Sequence, residues 1–166
     1  MNSVAADLAM LKTPGEWDAD IAVGDGQSLG IPMSFGGPSV GYMCCKEKLM
    51  RKMPGRIVGK TVDNRGQRVF VLTLQAREQH IRRQKATSNI CSNESLMALF
   101  VTIYMSIMGK EGLKEAAQMS YDGAHYLHDE LIATGKFEEK YNKPFFNEFC
   151  LTYKGDADAL QKHLIA

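Results

Sequence analysis

Arg77-Glu-Gln-His-Ile-Arg-Arg-Gln-Lys-Ala-Thr-Ser-Asn-Ile-Cys-Ser-Asn-Glu94 is the stretch at which this chain changes character. Upstream of it, short apolar runs are punctuated by turn residues. Downstream, apolar residues recur every three to four positions. Within the stretch, Arg77, Arg82, Arg83 and Lys85 crowd cationic donors into a turn or two. Thr87, Ser88 and Asn89 follow with short hydrogen-bonding side chains, just before the helical pattern begins. A cationic approach to a helix start suits a phosphate or carboxylate, because charged donors and unpaired backbone N–H groups converge there. The plainer reading is a solvated charged face in which Arg82 or Arg83 pairs with Glu78.

Downstream, Leu96, Leu99, Ile103 and Ile107 mark an amphipathic helix from about Ser92 to Met108, which Gly109 and Gly112 are expected to break. A second helix is predicted from about Leu113 to Thr134, with Ala116, Ser120, Ala124, Leu127 and Leu131 on one face and Gly135 as its C-cap. Phe145 to Tyr153 reads as a strand, and Asp156 to Leu164 as a last helix. Upstream, Asp20 to Val23 is a strand that ends in Gly24-Asp25-Gly26, and Ser39 to Cys45 reads as a buried strand. Lys46 to Lys52 is a short basic helix stopped by Pro54-Gly55. Arg56 to Val62 and Arg68 to Leu74 are strands of a hairpin, because Asp63-Asn64-Arg65-Gly66 supplies residues that accept turn geometry. The order predicts a mixed α/β chain that divides into residues 1–76 and 77–166. The last strand has no sheet to join, and the first has no parallel neighbour before it. This points to part of a larger fold, or to sheets completed by a partner.

A 166-residue chain that is 45% hydrophobic can form one ordinary domain, and its net charge of +1 exerts no global pull toward nucleic acid or anionic lipid. The four cysteines, at 44, 45, 91 and 150, form no Cys-x-x-Cys pair, so a reducing cytoplasm is expected. Met1 to Ala9 lacks the basic-then-apolar order of a signal peptide, and no apolar run is read as long enough to span a bilayer.

Gly24-Asp-Gly-Gln-Ser-Leu-Gly30 has the look of a dinucleotide loop, but no helical pattern opens behind it, and Ile31-Pro32 favours an extended segment. A tight structural turn is the stronger reading. Cys91 lies near a helix start, where the dipole favours thiolate, which makes it a redox candidate; the alternative is a buried inert thiol. Cys44 and Cys150, in apolar strands, are expected to be shielded. His125 and His128 share a helical face with Asp122 and Asp129 nearby, but no third zinc ligand is evident, so they read as a surface pair and no metal site is assigned. Cys44 and Cys45 point to opposite faces of a strand and do not share a metal. Asn93-Glu-Ser95 fits a glycosylation pattern but lies at a helix start.

Six motifs occur in order: Leu11-Lys-Thr-Pro-Gly-Glu-Trp17, Gly24-Asp-Gly-Gln-Ser-Leu-Gly-Ile-Pro32, Ser34-Phe-Gly-Gly-Pro38, Met53-Pro-Gly-Arg-Ile-Val-Gly59, Leu74-Gln-Ala-Arg-Glu-Gln-His-Ile-Arg-Arg83 and Lys85-Ala-Thr-Ser-Asn-Ile-Cys91. Together they resemble the glycine decarboxylase P-protein family, most closely subunit 1, the alpha subunit of its two-subunit form. The resemblance implies part of a type I pyridoxal-phosphate-transferase fold: the end of the large-domain sheet in residues 1–76, then a helical connection and an α/β C-terminal small domain in residues 77–166. It implies an oxidoreductase subunit of the glycine cleavage system. That enzyme decarboxylates glycine and passes the aminomethyl group to the lipoyl arm of the H-protein.

The resemblance further implies a heterotetramer of alpha and beta chains, in which the beta chain carries the Schiff-base lysine and holds the pyridoxal phosphate. That lysine precedes an Ile-Pro step by a short, fixed distance. Here Gln27 stands in its place before Ile31-Pro32, with no amine to form an imine. No catalytic residue is therefore expected on this chain. Arg77, His80, Arg82, Arg83, Thr87, Ser88 and Asn89 are its active-site or interface candidates. The chain is short for the family and reads as lacking an N-terminal half and a C-terminal segment. The expected partners are the beta subunit, the lipoylated H-protein and glycine, with neither nucleic acid nor membrane. The competing function is an anion- or nucleic-acid-binding module built on residues 77–85. It would call for aromatic platforms among the cations, and none lies between Arg77 and Lys85.

Overall fold

Turn chemistry sets the first of two units. The computed structural model describes residues 1–55, 57–73, 79–86 and 94–165, and it divides into Met1–Ala5 with Lys12–Tyr104, and Ala6–Leu11 with Met105–Ala166. In the first unit β1 (Ile21–Asp25) pairs antiparallel with β2 (Gly41–Cys45), Ile21 opposite Cys45 and Asp25 opposite Gly41. β2 is shorter than the run from Ser39 suggested, and most of it is exposed rather than buried.

The N-terminus corrects a second expectation. The Ser3 N–H donates to the Val23 carbonyl (3.1 Å), the Val23 N–H donates to that of Met1 (3.0 Å), and Asn2 forms a parallel bridge with Val23. The first strand thus has a parallel bridge before it, though not a third strand of its sheet. It was missed because three residues carry no readable period.

β3 (Ile57–Val62) and β4 (Arg68–Thr73) form the second hairpin, Ile57 opposite Thr73 and Val62 opposite Arg68. Its turn is held by Asp63, whose Oδ1 accepts from the N–H groups of Arg65 and Gln67, both at 2.8 Å, while Gly66 takes φ 75°. A 3-10 helix at Glu47–Lys52 occupies the place of the expected basic helix. The short α1 (Gln79–Arg82) leads into another 3-10 turn at Arg83–Lys85.

The span α2 (Ser95–Ala133) holds the two expected helices, which meet at a kink where Gly109 leaves helical geometry with φ 61° and ψ −172°. Gly112 stays helical. By length and composition alone the whole span Ser95–Ala133 is long and apolar enough to cross a membrane. That length is reached only by counting across the non-helical Gly109, where the sequence reading had cut the run. Gly135 ends the helix as expected, at φ 71° with its N–H on the Ile132 carbonyl at 2.9 Å.

In the second unit β5 (Phe137–Glu139) pairs antiparallel with β6 (Leu151–Tyr153), so the last strand has a partner after all. β6 is much shorter than the predicted Phe145–Tyr153. The aromatic residues of that run pack on α2 instead: Phe145 stacks on His125 with centroids 4.2 Å apart, and Phe146 meets Tyr121 at 5.5 Å. α3 (Ala157–Ile165) starts at the expected cap, where Asp156 Oδ1 accepts from the N–H groups of Asp158 (3.0 Å) and Ala159 (3.1 Å).

Little is buried. Among the described residues the buried apolar side chains are Ala22, Ile31 and Val101 in the first unit and Ala117 in the second. Asp7 is the buried charged residue. Asn147 Nδ2 donates to Asp7 Oδ1 at 2.9 Å and to Ser120 Oγ at 3.0 Å, which ties three segments of the second unit together. Burial raises the Asp7 pKa above its ordinary 3.8. The Asn147 hydrogen bond opposes that rise, and the Glu148 charge adds to it.

A folded-state pKa above the unfolded one favours the protonated form in the fold. The contribution is fully present below the unfolded value and is lost as pH rises through the raised one. Asp7→Asn keeps the acceptor for Asn147 without a charge. It is expected to flatten the dependence of thermal stability on pH just above 3.8 and to leave stability at pH 7 equal or higher. Asp7→Ala removes the acceptor and should cost about 1 kcal/mol at the same pH in denaturant titration.

Candidate functional site

The Gly24–Gly30 segment is a close-packed turn. Asp25 Oδ1 accepts from the Gln27 N–H at 2.9 Å, the Leu29 N–H reaches the Gly26 carbonyl at 2.9 Å, and the Ile31 N–H reaches that of Gln27 at 3.1 Å. Gly24 has no room for a side chain, since a Cβ there would lie 2.3 Å from the Ser3 carbonyl oxygen and 2.4 Å from the Tyr42 hydroxyl. That hydroxyl donates to the Ser3 carbonyl at 2.8 Å and so locks β2 to the N-terminal strand. Gly30 sits at φ 84°, against the face of Tyr104. No helix opens behind the turn, which is the structural turn expected from Ile31-Pro32.

Gln27 is exposed and lines a cavity of about 400 Å³ with Val4, Asp25, Ser28, Ile31 and Met33. As a seat for pyridoxal phosphate this lining is poorly suited. It offers no amine to form an imine, and its charged group is the Asp25 carboxylate, which repels a phosphate. The residues present do not fit covalent or phosphate-directed retention of that cofactor here.

His80, Arg82 and Arg83 lie on the short α1 and the 3-10 turn after it, all exposed, with Arg83 at φ 51°. Arg77, Thr87, Ser88, Asn89 and Cys91 lie outside the described residues, as does the glycosylation-like Asn93. Cys44 and Cys150 are exposed and Cys45 is half-buried, which corrects the expectation that strand placement shields Cys44 and Cys150. Cys44 is uncovered because its hairpin has no third layer, and Cys150 because it precedes β6 rather than lying in it.

Sequence reasoning missed a second constellation, in the second unit. His128 is not a surface residue: its side chain is 12% exposed, with Nδ1 at 3.0 Å from Asp129 Oδ1 and Nε2 at 3.4 Å from Glu139 Oε1. Phe145 and Phe149 enclose it, at 5.1 and 5.2 Å between centroids. His125 stacks between Tyr121 and Phe145, and its Nε2 is buried without a hydrogen-bond partner. His128, Glu139, Phe145 and Phe149 wall a half-open cavity of about 360 Å³. The aromatic density of Phe145-Phe146-Asn147-Glu148-Phe149 was the available signal; reading it as strand obscured its role as the cover of the histidine face. Among the described residues no cluster of three or more His, Cys, Asp or Glu is placed to hold a metal ion.

The chain forms part of a type I pyridoxal-phosphate-transferase fold: it superposes on the crystal structure of glycine decarboxylase (P-protein) of the glycine cleavage system, in inhibitor-bound form, with a TM-score of 0.91 and 49% identity. The match covers 99% of this chain and 38% of that one. Residues 1–166 match the family described as glycine cleavage system P-protein, and the chain belongs to that family. It is 58% identical over 147 residues to the probable glycine dehydrogenase (decarboxylating) subunit 1 of Moorella thermoacetica, covering 89% of this chain and 33% of that one. It is 52% identical over 158 residues to the protein of the same name in Desulforamulus reducens, covering 95% and 35% respectively. The chain thus spans about a third of the length of these curated relatives.

Gly24→Ala tests the turn. The obstructing atom is backbone, so the N-terminal strand must move, at a cost of roughly 1–3 kcal/mol. The expected outcome is a lower melting temperature and faster amide exchange at Ser3 and Val23, with exchange in α3 unchanged.

Proposed function

We propose that the chain is a noncatalytic alpha-subunit portion of the glycine cleavage system P-protein, acting in the cytoplasm. It shapes and supports an active site whose cofactor-binding lysine is carried by the beta subunit. The assembled enzyme decarboxylates glycine and hands the aminomethyl group to the lipoyl arm of the H-protein. Its pyridoxal phosphate supplies the electron sink for decarboxylation and is held by the partner. The observation that carries the reading is Gln27: it occupies an ordered turn, lines a cavity beside a carboxylate, and has no nucleophilic amine. The similarity to proteins named subunit 1 supports the same reading. So does the shortage of buried apolar side chains, as expected of a chain that shares its core with another. In this role the segment from Arg77 to Asn89 packs at the subunit boundary, where its bidentate donors order an anion or a partner loop.

Two measurements follow. Mixed with pyridoxal phosphate, the chain alone should give no stoichiometric, borohydride-reducible adduct; one adduct per chain on a single lysine would overturn the noncatalytic assignment. Mixed with a beta subunit, H-protein and glycine, it should support release of carbon dioxide that neither chain gives alone. In that assembly Arg82→Ala and Arg83→Ala should each lower activity or association severalfold, and parental values in both would reduce the segment to a solvated face.

A further inference from the structure

His128 meets a carboxylate at each end of its imidazole ring. Nδ1 lies 3.0 Å from Oδ1 of Asp129, the next residue along α2, and Nε2 lies 3.4 Å from Oε1 of Glu139, on β5. An ionised carboxylate accepts hydrogen bonds and does not donate them, whereas a neutral imidazole carries one N–H and one lone pair. One proton cannot serve both partners. The arrangement is complementary to the imidazolium, in which both ring nitrogens donate. With a single proton left, the shorter contact keeps it, on Nδ1 beside Asp129. The Nε2 lone pair then faces the Glu139 oxygen, and two electron-rich atoms repel.

The two partners differ in what they tie. Asp129 belongs to the same helix as His128, so that contact joins nothing new. Glu139 ends β5, which is held to β6 by three residue pairs, and a hairpin so short is marginal without support from a neighbouring element. Phe145 and Phe149 enclose the ring and leave the side chain 12% exposed, so water is a poor substitute for a lost partner there. The other titratable groups around the ring are His125, one turn earlier on α2 and stacked on the same Phe145, and Tyr141, Lys143, Glu148 and Cys150, which line the adjoining cavity. Lys143 and Glu148 are of opposite sign, which leaves Asp129 and Glu139 as the charges in contact with the ring nitrogens.

We propose that His128 is a proton-operated clasp between α2 and the β5–β6 hairpin. Doubly protonated, the ring holds Asp129 and Glu139 at once; with one proton gone it releases Glu139 and loosens β5. Histidine is the side chain that changes charge between about pH 5 and 8, so the clasp is closed at the acid end of that range and open at the basic end. The stabilisation is present while both nitrogens are protonated and is lost as pH rises. Because His128 and Glu139 both wall the cavity of about 360 Å³, opening the clasp also frees one of its walls.

The test is amide exchange of the full chain from about pH 5 to 8, each rate divided by the intrinsic rate at that pH. The reporters are the Lys140 N–H, bonded to the Cys150 carbonyl, and the Lys154 N–H, bonded to that of Lys136; the reference is the Leu160 N–H in α3. Protection at Lys140 and Lys154 should fall about threefold across the range, the size of a solvent-edged ion pair, while that at Leu160 stays level. Glu139→Gln presents an amide that can accept from an N–H or donate to a lone pair, so the fall should disappear. His128→Gln carries no titrating group and should flatten the profile as well. A level profile in the parent chain overturns the clasp outright. So does a fall that both variants share, since the titrating group then lies elsewhere. Helical circular dichroism checks that each variant folds, and should one unfold, the other decides.

Discussion

Apolar surface left uncovered among the described residues conditions everything else in this structure. A hairpin is marginal in water until a third layer packs on it, yet each of the three described sheets has two strands. The buried apolar set is made of Ala22, Ile31, Val101 and Ala117, among which only Ile31 and Val101 are branched and none is aromatic. Leu96, Leu99, Phe100 and Ile103 along the first turns of α2 remain exposed. Local devices therefore set the elements: the Asp63 carboxylate in the β3–β4 turn, the Asp156 cap of α3, the Tyr42 hydroxyl on Ser3. Such devices specify shape, but each contributes only about a kcal/mol, less than hydrophobic layers supply. Shape among the described residues is thus settled locally, by turns and caps more than by a layered core.

Those local devices are what the amino-acid sequence makes readable. The β3–β4 hairpin was legible to the residue because Asp63-Asn64-Arg65-Gly66 is a turn with its own chemistry, and α3 was legible through Asp156. Errors gathered where a longer-range contact overrides a local preference. Phe145 to Cys150 has strand composition, but its rings are recruited by Tyr121, His125 and His128 some twenty residues earlier, and no periodicity encodes that pairing. The two histidines were read as exposed for the same reason: their cover lies across the unit. Gly109 breaks the helix as its residue type suggested, whereas Gly112 stays helical. At the candidate site the legible part was the turn itself, whose glycines and Ile31-Pro32 step announce a tight structural loop around Gln27. The cavity around Gln27 was not legible, because Val4 and Met33 reach it from segments with no pattern of their own.

The turn that carries Gln27 has demanding geometry. Its glycines are explained by close approach: Gly24 against the Ser3 carbonyl and Tyr42, Gly26 against Val40, Gly30 against Tyr104. None of these contacts involves the Gln27 side chain, so they would hold equally well around an amine. A turn maintained this tightly for packing alone would suffice for the N-terminal strand and β2, since those are what Gly24 and Tyr42 join. The next turn argues for more. Ser34 and Phe35 both hold positive φ, 43° and 56°, closed by the N–H groups of Gly36 and Gly37 on the Met33 carbonyl. A bulky side chain in that region costs of order 1–3 kcal/mol and persists where its surroundings over-determine it. Here Phe35 gains no packing within the chain in return, being fully exposed beside an exposed Met33. The strain of this turn is therefore held by its backbone hydrogen bonds rather than by packing of the Phe35 ring.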